Sequence, residues 1–111
     1  EHFEIIHRRT GFLPYFSFVV GEGDYRRSKP DPEPYRVALE RCGDNPGECL
    51  AIEDSERGLR AAKGAGLECW VIPTALTADS DFSGADCVVD VAAGCATPAT
   101  ENNRIAQVAA K

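Results

Sequence analysis

Residues 48–66, ECLAIEDSERGLRAAKGAG, constrain this chain more than any other stretch. Cys49-Leu50-Ala51-Ile52 is a short apolar run of the kind that fills a buried strand in a parallel sheet. It stops at two adjacent carboxylates, Glu53 and Asp54. Ser55 or Asp54 can then cap a helix, because either side chain accepts from an N–H of the first turn. That helix carries Gly58, Ala61, Ala62 and Ala65, small enough to lie close against a sheet, and Gly66 stops it. Two acids therefore stand where a strand ends and a helix begins, the place where open α/β sheets bind ligands. Two readings of the pair stay open on this stretch alone. Either it is a solvated turn with an acidic cap, or it is a carboxylate pair whose repulsion a cation or basic side chain offsets.

A second stretch, SKPDPEPY at residues 28–35, alternates three prolines with polar residues. It is neither regular strand nor helix interior. Each proline pushes the preceding residue toward extended backbone, which holds Lys29 on a stiff support. Asp31 reads as an N-cap and Pro32 as a first helical residue. Tyr35, Ala38, Leu39 and Cys42 then recur at helical spacing up to Gly43. Lys29 is an anion-ligand candidate on this reading, or simply an exposed lysine in a turn.

The remaining elements are weaker. Phe3, Ile5, Ile6 and Arg9 allow a short helix ended by Gly11, and Phe18-Val19-Val20 is a strand candidate ended by a Gly-Glu-Gly-Asp turn. His2 and His7 stand five apart, not at the i, i+4 spacing that points two ligands at one metal. Residues 68–72, ECWVI, read as a second buried strand closed by Pro73, which completes a strand–helix–strand unit. Cys87-Val88-Val89 is a last short strand, and from Ala92 onward a frayed helix or tail is expected. The expected organisation is thus one α/β unit over residues 1–91 and a helix or tail over 92–111.

Composition narrows the function. A net charge of −6 argues against a non-specific grip on nucleic acid, which needs basic side chains to neutralise phosphates. No apolar stretch reaches the roughly 20 residues that cross a bilayer, so no membrane role is expected. The five cysteines show no C-x-x-C spacing and read as reduced, small apolar residues of a cytoplasmic protein rather than as a zinc site or disulfide framework. The chain begins at Glu1 and holds no methionine, so it reads as a fragment or processed chain.

SKPDPEPY followed about twenty residues later by IEDSERGLRAAKGAGLECWVIP resembles the haloacid dehalogenase-like hydrolase superfamily, in particular its phosphoglycolate phosphatase and β-phosphoglucomutase group. The resemblance runs over residues 12–90. It implies a Rossmann-like, three-layer α/β core with a mainly parallel sheet, and phosphoryl transfer through a phosphoaspartate and one Mg2+. Lys29 matches the lysine of the third motif, which offsets the charge of phosphate and nucleophile. Asp54 matches the fourth-motif magnesium ligand, and Glu53 its acidic neighbour, which binds the metal or a metal-bound water. The physics agrees: magnesium takes a few carboxylate oxygens with water and phosphate, and a phosphoryl group in transfer needs clustered positive charge.

One part of the family pattern is absent. No apolar strand followed by D-x-D-G-T occurs, so the nucleophile and its acid/base partner have no counterpart here. Asp79-Ser80-Asp81 has the letters but neither the preceding strand nor the following Gly-Thr. The second motif and the helical cap that selects substrate are missing as well. The chain therefore resembles the C-terminal half of a catalytic core. It belongs either to a phosphatase or phosphomutase acting on a small phosphorylated metabolite, or to a truncated, non-catalytic module. The family's sheet order places Cys49–Ile52 beside Cys69–Ile72, with an absent strand on its other side and Phe18–Val20 farther out. Three ways of closing that edge are expected: an additional N-terminal half, inward movement of Phe18–Val20, or a second chain in a homo-oligomer.

Overall fold

The computed structural model describes residues 17–89 and 104–106. The order of elements is α1 (Glu33–Cys42), a 3-10 turn (Pro46–Glu48), β1 (Cys49–Glu53), α2 (Glu56–Gly64), β2 (Glu68–Val71), β3 (Cys87–Val88) and β4 (Arg104–Ala106). The four strands are parallel neighbours in the order β3-β2-β1-β4. The fold class is α/β with a parallel sheet, as expected. The short helix read before Gly11, both histidines and Cys95 lie outside the described residues.

β1 follows its composition. Cys49, Leu50 and Ala51 are buried in succession, because a strand with neighbours on both sides and a helix against it has no solvent face. Ala51 pairs with Cys69 of β2, and Leu50 with Glu68. The β1–α2–β2 unit closes through small residues. Ala61 and Ala62 are fully buried in α2, and Ser55 caps the helix by accepting the Gly58 N–H at 3.0 Å. Of the two possible caps Ser55 is used, which leaves the Asp54 carboxylate out of the helix. Gly66, at φ +81°, turns the chain out of α2 while its N–H bonds to the Lys63 carbonyl. Tyr35, Leu59, Leu67, Cys69 and Val71 fill the core around this unit. Each large apolar side chain there contributes roughly 1.5–3 kcal/mol over an exposed one.

α1 begins at Glu33, one residue past the expected start, and Asp31 still serves its beginning by accepting the Glu33 N–H at 2.9 Å. The helix ends as read, with Gly43 at φ +73° and its N–H on the Leu39 carbonyl.

Two expectations are corrected. Phe18–Val20 is not a strand. Its turn is closed by Asp24, which accepts the Gly21 N–H, and the Val19 carbonyl accepts from Arg41 at 2.9 Å instead of joining a ladder. Val20 is nevertheless buried in the core. The second correction concerns the far edge of β1. Arg104–Ala106 pairs there, with Cys49 beside Arg104 and Ala51 beside Ala106. Those three residues are strand, not the helix or tail expected over 92–111. The reason is backbone satisfaction, since a buried strand edge leaves N–H and C=O groups that another strand can pair.

Candidate functional site

β1 delivers Glu53 to the carboxyl end of the sheet. Its side chain is 5% exposed and is met there by two donors, the Lys29 ammonium and the Tyr35 hydroxyl, both on Oε1. Lys29 comes from the proline-rich turn before α1, Tyr35 from the first turn of α1, and Glu53 from the end of β1. The lysine ammonium also stands 5.1 Å from the centre of the Tyr35 ring, within cation–π range. Lysine and glutamate thus form a buried ion pair with a tyrosine as its second donor.

The surroundings show why the pair holds its shape. Lys29 precedes a cis peptide bond to Pro30, and its carbonyl accepts from Arg57 of α2 at 2.9 Å. Glu33 accepts the N–H groups of Arg26 and Arg27, at 3.0 and 2.8 Å, which ties the turn before the lysine to the start of α1. Gly58 faces the glutamate, and a Cβ at that position would lie 2.7 Å from Glu53 Oε1 and closer still to Oε2. A buried charge pair requires this degree of enclosure, because its desolvation is offset only by good geometry and further hydrogen bonds.

Asp54 behaves differently. It follows the last residue of β1, is exposed, and makes no hydrogen bond or ion pair with the described residues. Successive residues leaving a strand project to opposite sides, so the adjacent acids go to separate environments: Glu53 inward to Lys29, Asp54 outward. The three residues singled out in the sequence are therefore close together in the fold, but as a buried pair with one free carboxylate beside it. Asp79, Ser80 and Asp81 belong to the connection between β2 and β3, where Asp81 accepts the Ser83 N–H at 3.0 Å.

Three contributors escaped the sequence reading. Tyr35 counted only as an apolar helix position, Gly58 only as a small packing residue, and Arg57 not at all. Gly58 carried the one usable signal. A glycine in the first turn of a capped helix, just after an acid pair, marks a place where something approaches closely.

Residues 1–66 match the haloacid dehalogenase-like hydrolase family. A CBBY-like protein of Arabidopsis thaliana is 48% identical over 64 residues, covering 58% of this chain and 20% of that protein. Protein CbbY of Cereibacter sphaeroides is 47% identical over 73 residues, covering 65% of this chain and 32% of its own length. The putative phosphatase YhcW of Bacillus subtilis is 37% identical over 79 residues, covering 71% and 36%. The crystal structure of CbbY from Rhodobacter sphaeroides in complex with phosphate superposes with a TM-score of 0.59 at 47% identity, covering 60% of this chain and 29% of that one. A second crystal structure of that protein, a mutant, holds xylulose-(1,5)bisphosphate. An α/β unit with a lysine and an acid pair at the end of its strand thus has a named place: the chain belongs to the haloacid dehalogenase-like hydrolases. Within them it groups with CbbY and phosphatases such as YhcW. It spans between a fifth and about a third of the length of these relatives.

Proposed function

We propose that this chain carries the phosphate- and metal-holding end of a phosphoryl-transfer hydrolase acting on a small phosphorylated metabolite. The observation that carries the reading is the division of labour at the end of β1: Lys29 is fixed by Glu53 and Tyr35, and Asp54 beside it is left open. A phosphoryl group in transfer carries charge on its oxygens, and a positive group held in place stabilises that charge without reorganising. Glu53 and Tyr35 hold the ammonium, Arg57 holds its backbone, and Asp54 offers oxygens at the sheet end.

Mg2+ fits this donor set through Asp54, since a hard cation takes an exposed carboxylate together with water and phosphate oxygens. Bound there, it would add positive charge toward the phosphoryl oxygens. Glu53 is the poorer ligand of the two acids, because its Oε1 already accepts from two donors. Its Oε2 lies against Gly58, so a part in metal binding would run through a metal-bound water. Xylulose-(1,5)bisphosphate in a relative supports a small sugar phosphate as the substrate class. The free thiols of Cys42, Cys49, Cys69 and Cys87 support a reducing, cytoplasmic setting. Among the described residues no helix is long and apolar enough to cross a membrane.

The chain holds no D-x-D-G-T, so by itself it is expected not to hydrolyse p-nitrophenyl phosphate in the presence of Mg2+. Turnover by the purified chain, abolished by Asp54→Ala, would contradict this. A second reading, a non-catalytic module in which Lys29 and Glu53 serve stability alone, draws on the lysine side chain being only 3% exposed. Binding of inorganic phosphate, followed by 31P NMR with and without Mg2+, separates the two. The hydrolase reading expects phosphate broadening that Lys29→Met removes, and the structural reading expects none.

A further inference from the structure

A second group of ligand-bearing side chains stands at the other end of β1, about 13 Å along the strand from Glu53. Cys42 is the last residue of α1, Asp44 follows the left-handed turn at Gly43, and Cys49 opens β1 after the Pro46–Glu48 turn. One thiol sulfur from each cysteine and one carboxylate oxygen of Asp44 all lie within 4.8 Å of one another. Cys49 is buried, and the other two are half-buried.

Two sulfurs and a carboxylate oxygen form a donor set of definite character. Magnesium and calcium take oxygen ligands, whereas thiolates select zinc and its softer neighbours. We propose that Cys42, Asp44 and Cys49 bind a thiophilic divalent cation of the zinc type, tying the end of α1 to the start of β1. The geometry is close to what such an ion needs. Sulfurs about 2.3 Å from a tetrahedral zinc stand roughly 3.8 Å apart, so the two sulfurs need close by no more than about 1 Å. Both thiols release their protons to solvent on binding, and Cys42 gives up the hydrogen bond it donates to the Leu39 carbonyl at 3.4 Å. Three protein ligands leave a fourth position for water or another donor.

The site is independent of the Lys29–Glu53–Asp54 group and of the function proposed for it. It was invisible in the sequence because six residues separate the cysteines. Only the turn at Gly43 and the pairing of β1 in the sheet bring the sulfurs together.

The test is cobalt and zinc titration of the metal-stripped, full 111-residue chain under a phosphine reductant. One equivalent of Co2+ should produce a thiolate-to-cobalt charge-transfer band that one equivalent of Zn2+ bleaches and excess Mg2+ does not. Cys42→Ser and Asp44→Asn, both at half-buried positions and each checked for native circular dichroism, should weaken zinc at least tenfold. Cys87→Ser should leave it unchanged. Zinc should also raise the melting temperature of the natural chain but not of Cys42→Ser. The proposal is overturned by the absence of the band at one equivalent, by an undiminished band in Cys42→Ser, or by a band lost only when Cys87 or Cys95 is replaced.

Discussion

Gly58 lacks a side chain at the point where the Glu53 carboxylate lies: a Cβ there would overlap the carboxylate whose Oε1 holds both Lys29 and Tyr35. The glycine is therefore part of the site although it offers no functional group. Gly58→Ala should push the glutamate off its two donors and leave charges buried without their geometry. The expected loss is about 2–4 kcal/mol, read as a lower urea midpoint. Alanine is otherwise the better helix former by roughly 1 kcal/mol, so an unchanged or raised midpoint would show that Glu53 is free to move aside.

Lys29 and Glu53 should be strongly coupled. Lys29→Met alone leaves a buried carboxylate and should cost about 3–5 kcal/mol, and Glu53→Leu alone should cost a similar amount. The double variant should cost much less than the sum of the two, because no unpaired charge remains. Additive losses in urea unfolding would mean that the two groups do not depend on each other. Tyr35→Phe removes one donor and keeps the ring, so a smaller cost of roughly 1 kcal/mol is expected.

Asp86 ties the second half of the sheet together, accepting from Lys63 at 2.8 Å and from the Cys69 N–H at 2.8 Å. Burial pushes its carboxyl up, but the hydrogen bonds from Lys63 and Cys69 outweigh that and hold it below the usual range. A carboxylate with a lowered folded value adds stability that is present above its unfolded value, near pH 3.9, and disappears as pH falls through the folded value. Asp86→Asn should therefore cost roughly 1 kcal/mol at neutral pH, a figure reduced for the solvent exposure of the pair. The difference between the two proteins should shrink below about pH 4. A difference that stays constant as pH is taken well below that value would assign the effect to packing.

β4 predicts the behaviour of the β1 edge. Ile105 pairs with Leu50, and Ile105→Pro removes a backbone donor from that ladder. Amide exchange of residues 49–51 should quicken, and the uncovered edge should make the chain self-associate in sedimentation. Unchanged exchange at those amides would show that β4 does not cover β1.

The sequence made some of this plain and hid the rest for physical reasons. The β1–α2–β2 unit was legible because an apolar run, an acid stop, a serine cap and a glycine end are all local signals. That Lys29 and the acid pair would come together at the end of β1 was expected from their motifs, but the inward direction of Glu53 was not. That direction depends on the empty space at Gly58 and the hydroxyl of Tyr35, which meet only in the folded chain. Phe18–Val20 has strand composition, yet Arg41 takes a carbonyl that a ladder would need. β4 was hidden because a short strand is defined by the edge it finds rather than by its own residues.

Magnesium binding by the Asp54→Asn chain tests the central claim most directly. Asp54 is exposed and makes no hydrogen bond or ion pair with the described residues, so the variant should unfold at the same urea concentration as the natural chain. Isothermal titration with Mg2+ in the presence of inorganic phosphate should give one site in the natural chain and at least a tenfold loss of affinity in the variant. Equal binding by the two chains would contradict the assignment of Asp54, and with it the reading of this strand end as a phosphoryl-transfer site.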